Sequence, residues 1–371
     1  MRFLFVVQGE GRGHLTQALA MERLLQQAGH EVVEVLVGKS NSRQLPGFFN
    51  RQIKAPVSRF DSPNFQLSAS TGRANLTKSI TYNMLYLPTY WHSICFIRDK
   101  IERSGVDAVI NFYEFLVGMT YRLCRMRVPQ ICIGHQYLFL HRDFRTPFHQ
   151  QVDMQLFRLF TKITAWGAVR KLALSFHAMP SDYEERITVV PPLLRSEVLS
   201  QHATSGDYIH GYLLNPSFSR QVYAWHEKHP EVRLRFFWDK SNAPVLTRID
   251  DSFTLHQIDD VAFLKQMRGC KAYATTAGFE SICEAMYWGK PILMVPAHIE
   301  QECNAWDARR NGAGVISNDF NMDSLLSFAE DYRPNKAFQM WVQAAGSIIL
   351  NEIEAAVYEY RERNSMVVAV S

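Results

Sequence analysis

Residues 275–296 read Thr275-Thr276-Ala277-Gly278-Phe279-Glu280-Ser281-Ile282-Cys283-Glu284-Ala285-Met286-Tyr287-Trp288-Gly289-Lys290-Pro291-Ile292-Leu293-Met294-Val295-Pro296, and the run continues through His298 and Glu300-Gln301 to Asn304-Ala305. The pattern is a Gly loop that opens a helix, a second Gly turn, a buried strand, and a polar loop that opens another helix. Its polar residues gather where the helices begin. Loops of this kind bring backbone N–H groups and helix N-termini towards one point, which suits a phosphate.

Before this run, apolar strand patterns at 208–214, 232–237, 253–255 and 272–275 are interspersed with helical ones around 220–228 and 260–269. The first half alternates in the same way, with strands at 3–7, 31–37, 107–112, 129–134, 171–176 and 187–190. Its helices fall at 15–28, 116–126 and about 150–169, with a long helical stretch over 75–104 interrupted near Pro88. Strands that are apolar throughout belong to parallel sheets covered on both faces. The alternation therefore predicts an α/β fold of two Rossmann-like, doubly wound domains facing each other across a cleft. Pro191-Pro192 and the polar stretch 196–207 read as the hinge. The expected units are 1–195, 206–335 and a helical segment 336–371, whose helix at about 338–363 is longer than the second half needs.

Length agrees: 371 residues suit two domains, and 47% apolar content is enough for two cores. The apolar opening at 2–7 is far shorter than a signal-peptide core, and no other apolar stretch reaches the roughly 20 residues of a membrane span. A cytoplasmic protein is expected. The six cysteines, Cys95, Cys124, Cys132, Cys270, Cys283 and Cys303, lack C-x-x-C spacing and read as reduced core thiols. Charge is uneven: residues 1–195 carry 24 basic against 14 acidic side chains, the remainder 16 against 22. A basic first half suits an anionic surface or a phosphorylated acceptor. No nucleic-acid-binding module accompanies it, so a nucleic-acid partner is not expected.

A second glycine-rich loop, Gly9-Glu10-Gly11-Arg12-Gly13-His14, follows the first strand and opens the first helix. It lacks the dinucleotide spacing G-x-G-x-x-G, and Val37-Gly38-Lys39 supplies no acidic residue after the second strand, so NAD is not expected. Gly38-Lys39-Ser40 fails as a Walker A loop because Val33 stands at the leading glycine position. Neither Asp-x-Asp, H-E-x-x-H nor clustered Cys/His spacing occurs. No catalytic metal and no cofactor are expected.

Together the two loops resemble those of GT-B glycosyltransferases, in particular the macrolide and plant natural-product enzymes and the peptidoglycan lipid-intermediate N-acetylglucosaminyltransferase. The C-terminal match covers about forty residues. At the N-terminus, the family's Gly-His before a helix and its Gly-His-Glu-Val ending resemble Gly13-His14 and Gly29-His30-Glu31-Val32. The resemblance implies that a nucleotide-diphosphate sugar, with UDP as the expected nucleotide, binds the second domain and donates its sugar to an acceptor hydroxyl, as a hexosyltransferase does. Gly278 and Ser281, with Thr276, Ala277 and Phe279 beside them, would meet the diphosphate. Glu284 would hold the ribose hydroxyls, and Glu300-Gln301 would read the sugar, with His298 adjacent. His256 and Ile258 would lie beside the nucleotide base. Thr276 departs from the His that many members carry.

On the acceptor side the resemblance implies a role for His14, whose imidazole can take a hydroxyl proton near neutral pH. Glu114 and His135-Gln136 follow predicted strands, at the ends where open α/β sheets bind ligands. Glu114 is the alternative base or the partner of His14, and Gly11, Arg12, Gly13, His135 and Gln136 would line the acceptor. The segment 136–171 mixes Tyr137, Phe139, Phe144, Phe148, Phe157, Phe160 and Trp166 with Arg142, Arg145, Arg158, Lys162, Arg170 and Lys171. Helical core packing is one reading of it. Docking to an anionic membrane surface, with a lipid acceptor on its inner face, is the other; a small-molecule acceptor is the alternative partner. Two rival functions remain at this level: a nucleotide-sugar 2-epimerase, which would turn over donor without acceptor, and a silent nucleotide-sugar-binding scaffold.

Overall fold

The computed structural model describes residues 1–39, 45–63, 87–146, 151–240 and 243–370. Seven strands form the first sheet: β1 (Arg2–Gln8), β2 (Glu31–Lys39), β3 (Val57–Asp61), β4 (Ala108–Phe112), β5 (Gln130–Gly134), β6 (Ala168–Leu174) and β7 (Ile187–Val190). Their order is β3-β2-β1-β4-β5-β6-β7, all parallel. Phe3 to Val7 of β1 are wholly buried, as a central strand covered on both faces requires. The first three strands build outward on one side of β1 and the chain then crosses to β4 on the other. Strand order reverses there, and a crevice opens at the carboxyl ends of β1 and β4.

The second sheet repeats the plan with β8 (Tyr208–Leu213), β9 (Arg233–Trp238), β10 (Leu246–Arg248), β11 (Phe253–Gln257), β12 (Ala272–Thr275), β13 (Ile292–Met294) and β14 (Gly314–Ile316). The order is β10-β11-β9-β8-β12-β13-β14, and β10 alone is antiparallel. Here the reversal lies between β8 and β12, and the loop after β12 is the run quoted first. This is an α/β fold of two doubly wound sheets.

Several elements differ from the sequence reading. The stretch read as hinge holds a short helix, Ser196–Leu199, because Val198 is fully buried and Arg195 before it is anchored by carboxylates. The expected final helix is two, Lys336–Gln343 and Ala345–Val370, the first capped by the Asn335 side chain, which accepts from Phe338 N at 2.9 Å. Of the helix expected over 75–104, the described part is Leu87–Ser104. Pro88 stands in its first turn, where a missing N–H breaks no intrahelical bond; residues 75–86 lie outside the described residues. The edge strands β3, β10 and β14 were not foreseen, being short and without strict alternation.

The last helix returns to the first half. Arg170 binds Glu352 at 2.6 Å and Glu359 at 2.8 Å, Tyr360 Oη donates to Arg127 O at 2.7 Å, and Ile349, Ile353 and Val357 are fully buried. Among the described residues, no helix is long and apolar enough to cross a membrane.

Candidate active site

β1 ends in the glycine loop, and the helix Arg12–Gln27 starts at the reversal point with His14 in its first turn. His14 is 9% exposed, and its ring stacks on Tyr113 with centroids 5.5 Å apart. Tyr113 lies just beyond β4 with φ of 61°, a left-handed conformation that is uncommon for a bulky residue and is held here by Tyr113 Oη sharing a 2.7 Å hydrogen bond with Thr161 Oγ1. Nδ1 of His14 faces Gln17 Oε1 at 3.3 Å, and Nε2 faces Gln136 Nε2 at 3.4 Å. Burial lowers the imidazole pKa to about 4, against a small opposing effect of Gln17. The ring is neutral at pH 7.

Across from it, β12 ends at Thr275 and the chain turns through Ala277, whose φ is 64°. Asn304 Nδ2 donates to Ala277 O at 3.1 Å and fixes that turn from the neighbouring helix Ile299–Arg310. Gly278 then caps the helix Phe279–Tyr287. The first N–H groups of a helix have no intrahelical acceptor, so this end can receive an anion. Ser281 Oγ donates to Gly278 O at 3.1 Å, and Thr276 is buried beneath the loop. In the following loop, Gln301 Oε1 accepts from Ala297 N at 2.9 Å, while His298 sits at the helix N-cap without a side-chain capping bond. Burial lowers the His298 pKa to about 4.

The two halves meet through amides and carboxylates. Gln17 Nε2 donates to Glu280 Oε1, and Gln136 Nε2 donates to Glu300 Oε1 at 2.9 Å. Gly13 makes the first contact sterically feasible, since a Cβ there would collide with Glu280 Oε2. Burial raises the Glu280 pKa to about 7, with the charges of Glu300 and Glu284 adding to the shift, and burial raises Glu300 to about 7. Glu284 instead meets a cation: Arg195 Nε and Nη2 donate to its two oxygens at 2.6 and 2.8 Å, and Arg195 also binds Asp260. Burial works against the Arg195 charge, but the two carboxylates outweigh it and the guanidinium pKa is raised.

Thus His14, Gln136 and Glu300 come together, with Gly13 alongside and the Thr276–Ser281 loop opposite. Glu114 does not join them. It caps the helix Phe115–Cys124, its Oε1 accepting from Ser62 Oγ at 2.6 Å and Leu116 N at 3.1 Å, with no hydrogen bond to His14. His135 donates from Nδ1 to Leu174 O at 2.6 Å and stacks on Phe279 at 4.0 Å, so it joins the halves as a buried ring. His256 lies apart on β11, stacked on Phe237 at 4.9 Å and bonded to Thr254 Oγ1 at 3.1 Å; Ile258 N donates to Trp238 O at 3.2 Å. Gly11 is exposed at the cap of the first helix, and the Arg12 guanidinium lies 5.7 Å from the Phe48 ring centroid.

Gln17, Glu280 and Arg195 were not foreseen. Gln17 is one helical turn from His14, a spacing that places the two side by side. Glu280 stood in the quoted run, but a carboxylate in a first helical turn reads as an ordinary dipole partner. Arg195 gave no signal.

The aromatic segment sorts by burial. Tyr137, Phe139 and Phe144 are core, Phe157 and Phe160 pack against them, and Phe148 lies outside the described residues. Arg158 Nε donates to Phe139 O at 2.9 Å, Lys162 and Lys171 share Glu185 at 3.3 Å, and Arg142 lies 3.5 Å from Asp182. Facing out on the helix Gln151–Thr164 are Val152, Leu156 and Leu159, one apolar face at helical spacing. Among the described residues, no group of three or more His, Cys, Asp or Glu is placed to hold a metal ion.

The family described as glycosyl transferase family 1 matches residues 1–332. An uncharacterised glycosyltransferase of Methanosarcina acetivorans is 23% identical over 332 residues, covering 82% of this chain and 80% of that protein. Among solved structures, the glycotransferase of kitacinnamycin superposes with a TM-score of 0.64 at 15% identity, covering 96% of this chain and 99% of that one. The spinosyn rhamnosyltransferase does so at 0.61 and 15%, covering 95% and 100%. A Phytolacca americana enzyme, solved with UDP-2-fluoro-glucose and pterostilbene, matches at 0.62 and 14%, covering 96% and 99%.

Proposed function

Because the chain belongs to glycosyl transferase family 1 and is a glycosyltransferase of the GT-B fold, we propose that it moves a sugar from a nucleoside-diphosphate donor, with uridine as the nucleoside, to an acceptor hydroxyl held by the first half. The observation that carries this reading is the meeting of His14 with the anion-receiving end of the helix Phe279–Tyr287 through Gln17 and Glu280.

In the reaction, the acceptor hydroxyl displaces the Gln136 amide from His14 Nε2 and gives its proton to that nitrogen. Its oxygen forms the bond to the anomeric carbon. The bond from that carbon to the diphosphate breaks, and the electron pair leaves on the diphosphate oxygen. The start of the helix Phe279–Tyr287, where N–H groups lack intrahelical acceptors, meets the growing charge, the kind of prearranged stabilisation that lowers a barrier most. A single displacement of this sort inverts the anomeric centre. Glu284, already ordered by Arg195, has lone pairs left for the ribose hydroxyls, and Glu300 with Gln301 borders the sugar. The nucleotide base would then rest towards the carboxyl end of β11.

The relatives solved with small phenolic acceptors support a small hydrophobic alcohol or phenol as acceptor, and the apolar face of Val152, Leu156 and Leu159 supports a lipid one. Incubation with a panel of nucleotide sugars, small phenols and lipid extract, followed by assay for released nucleotide and a mass-shifted product, tests the reading. Acceptor-dependent nucleotide release that is lost in His14→Ala supports it. Turnover of donor without acceptor would point to epimerisation, and binding without turnover to a scaffold; either refutes it.

A further inference from the structure

The orientation of one amide decides the state of His14. A Gln side chain can satisfy a carboxylate only through its NH2 group, so the bond from Gln17 Nε2 to Glu280 turns Gln17 Oε1 towards His14. An oxygen there must receive a proton, and His14 Nδ1 is the donor. Nε2 then carries the lone pair, consistent with the N–H of Gln136 pointing at it. Gln136 is turned by the same logic, since its NH2 group also serves Glu300. The chain Glu280, Gln17, His14 thus runs from the second half to the first, and Tyr113 fixes the ring plane.

Resting on the glycosyl-transfer reading, we propose that Glu280 is a positioning residue for the base: through Gln17 it holds His14 as the Nδ1–H tautomer and stabilises the imidazolium formed when Nε2 takes the acceptor proton. The base is complete only while the two halves are together, because its supporting carboxylate belongs to the donor-binding half.

The surroundings fit this role. A buried imidazole resists charge, and among the described residues His14 has no carboxylate in direct contact to offset that. The ionisable groups around the pair are Tyr113 against the His14 ring, Glu300 beyond Gln136, and Glu284 on the same helix as Glu280. Among the described residues no Lys or Arg forms an ion pair with Glu280, so its charge is available to the relay. Burial raises its pKa to about 7, well above the value of about 4 for His14, so the carboxylate is fully charged only above neutral pH. Gly13 leaves the room the carboxylate needs.

Glu280→Gln separates this role from simple bridging of the halves. The amide oxygen introduced by that substitution can still accept the Gln17 N–H, so a bridge survives while the charge is gone. The expected result is kcat lowered about tenfold or more, donor Kd by calorimetry unchanged or tighter, and the acid limb of the kcat/KM profile moved to lower pH, since losing a nearby negative charge lowers the proton affinity of His14. Gln17→Glu combined with Glu280→Gln puts a carboxylate directly on Nδ1 and should recover most of the lost rate. Gln17→Met, which breaks the relay from the other side, should match Glu280→Gln in kcat and serves if that variant fails to fold. Wild-type kcat and an unmoved pH profile in a folded Glu280→Gln or Gln17→Met would overturn the proposal, as would weakened donor binding with kcat intact. A wild-type protein that releases no nucleotide from any donor would instead refute the glycosyl-transfer reading itself.

Discussion

Glu114→Gln should remove a pH-dependent instability from the fold. Glu114 is wholly buried, its Oε2 has no hydrogen-bond partner, and Gly38 is close enough that a Cβ there would collide with that oxygen. Burial, against partial relief from Ser62 and Leu116 N, raises its pKa from 4.5 to about 7. The unfolded chain ionises this carboxyl near its ordinary value, whereas the folded chain keeps the proton until about pH 7. The unfolded state is therefore increasingly favoured as pH rises between those values, and the stability present below pH 4.5 is progressively lost. At about 1.4 kcal/mol per pKa unit, the 2.5-unit gap corresponds to about 3 kcal/mol. Gln keeps an oxygen for Ser62 and Leu116 N and cannot ionise. Urea unfolding of both proteins at half-unit steps from pH 5 to 8 isolates this group, because every other titration cancels in the difference. Relative to wild type, the variant should gain about 2.5 kcal/mol between pH 5 and pH 8, the remainder being gained below pH 5. A difference that stays flat would refute the reasoning and show Glu114 ionised throughout. Turnover should survive within a few-fold, since Glu114 makes no hydrogen bond to His14.

Glu284→Gln should weaken nucleotide-sugar binding by roughly 1.5–3 kcal/mol in calorimetry, the scale of charged hydrogen bonds, if the ribose rests on it; unchanged affinity would remove it from the site. Arg195→Met should cost about 3–5 kcal/mol in unfolding free energy, because Glu284 is left buried without its cation, and Glu284→Leu in the same chain should recover much of that. Gly13→Ala should lower stability, because the helical gain of about 0.4–1 kcal/mol is more than offset by pushing the buried Glu280 carboxylate off Gln17, and turnover should fall with it; equal turnover would show that the approach is not needed. Leu156→Ser with Leu159→Ser should reduce co-sedimentation with anionic vesicles, and wild-type binding should fall with rising salt, the membrane field being screened within about 8–10 Å. Absence of wild-type binding to any vesicle would leave a soluble acceptor.

The fold was legible because strand, glycine turn and helix follow one another with little interruption, and each signal is local. Phe3 to Val7 and Ala272 to Thr275 are fully buried, and all but Thr275 apolar, because both faces of a parallel sheet are covered. The short edge strands escaped because few of their side chains are buried, as in β10, where Leu246 is 51% exposed. The aromatic run after Gln136 was ambiguous for a different reason. Core packing and surface docking use the same residue types, and burial alone separates Tyr137 from Leu159.

The candidate site divides along the same line. His14, Gln136 and Glu300 were visible because each follows a strand end or opens a helix, positions that a linear pattern marks. Gln17 and Glu280 are 263 residues apart, and their contact exists only because two separately built sheets turn their carboxyl ends towards each other. No periodicity encodes such a pair. The same is true of Arg195 and Glu284, where a linker residue and a helix residue become one buried ion pair. Local pattern therefore locates the two glycine loops, whereas the proton position proposed for His14 depends on contacts between the halves. That division makes the tautomer of His14 a property of the closed arrangement. Separating the halves would remove Glu280 from Gln17, free the Gln17 amide to rotate, and leave the imidazole without a preferred nitrogen for its proton.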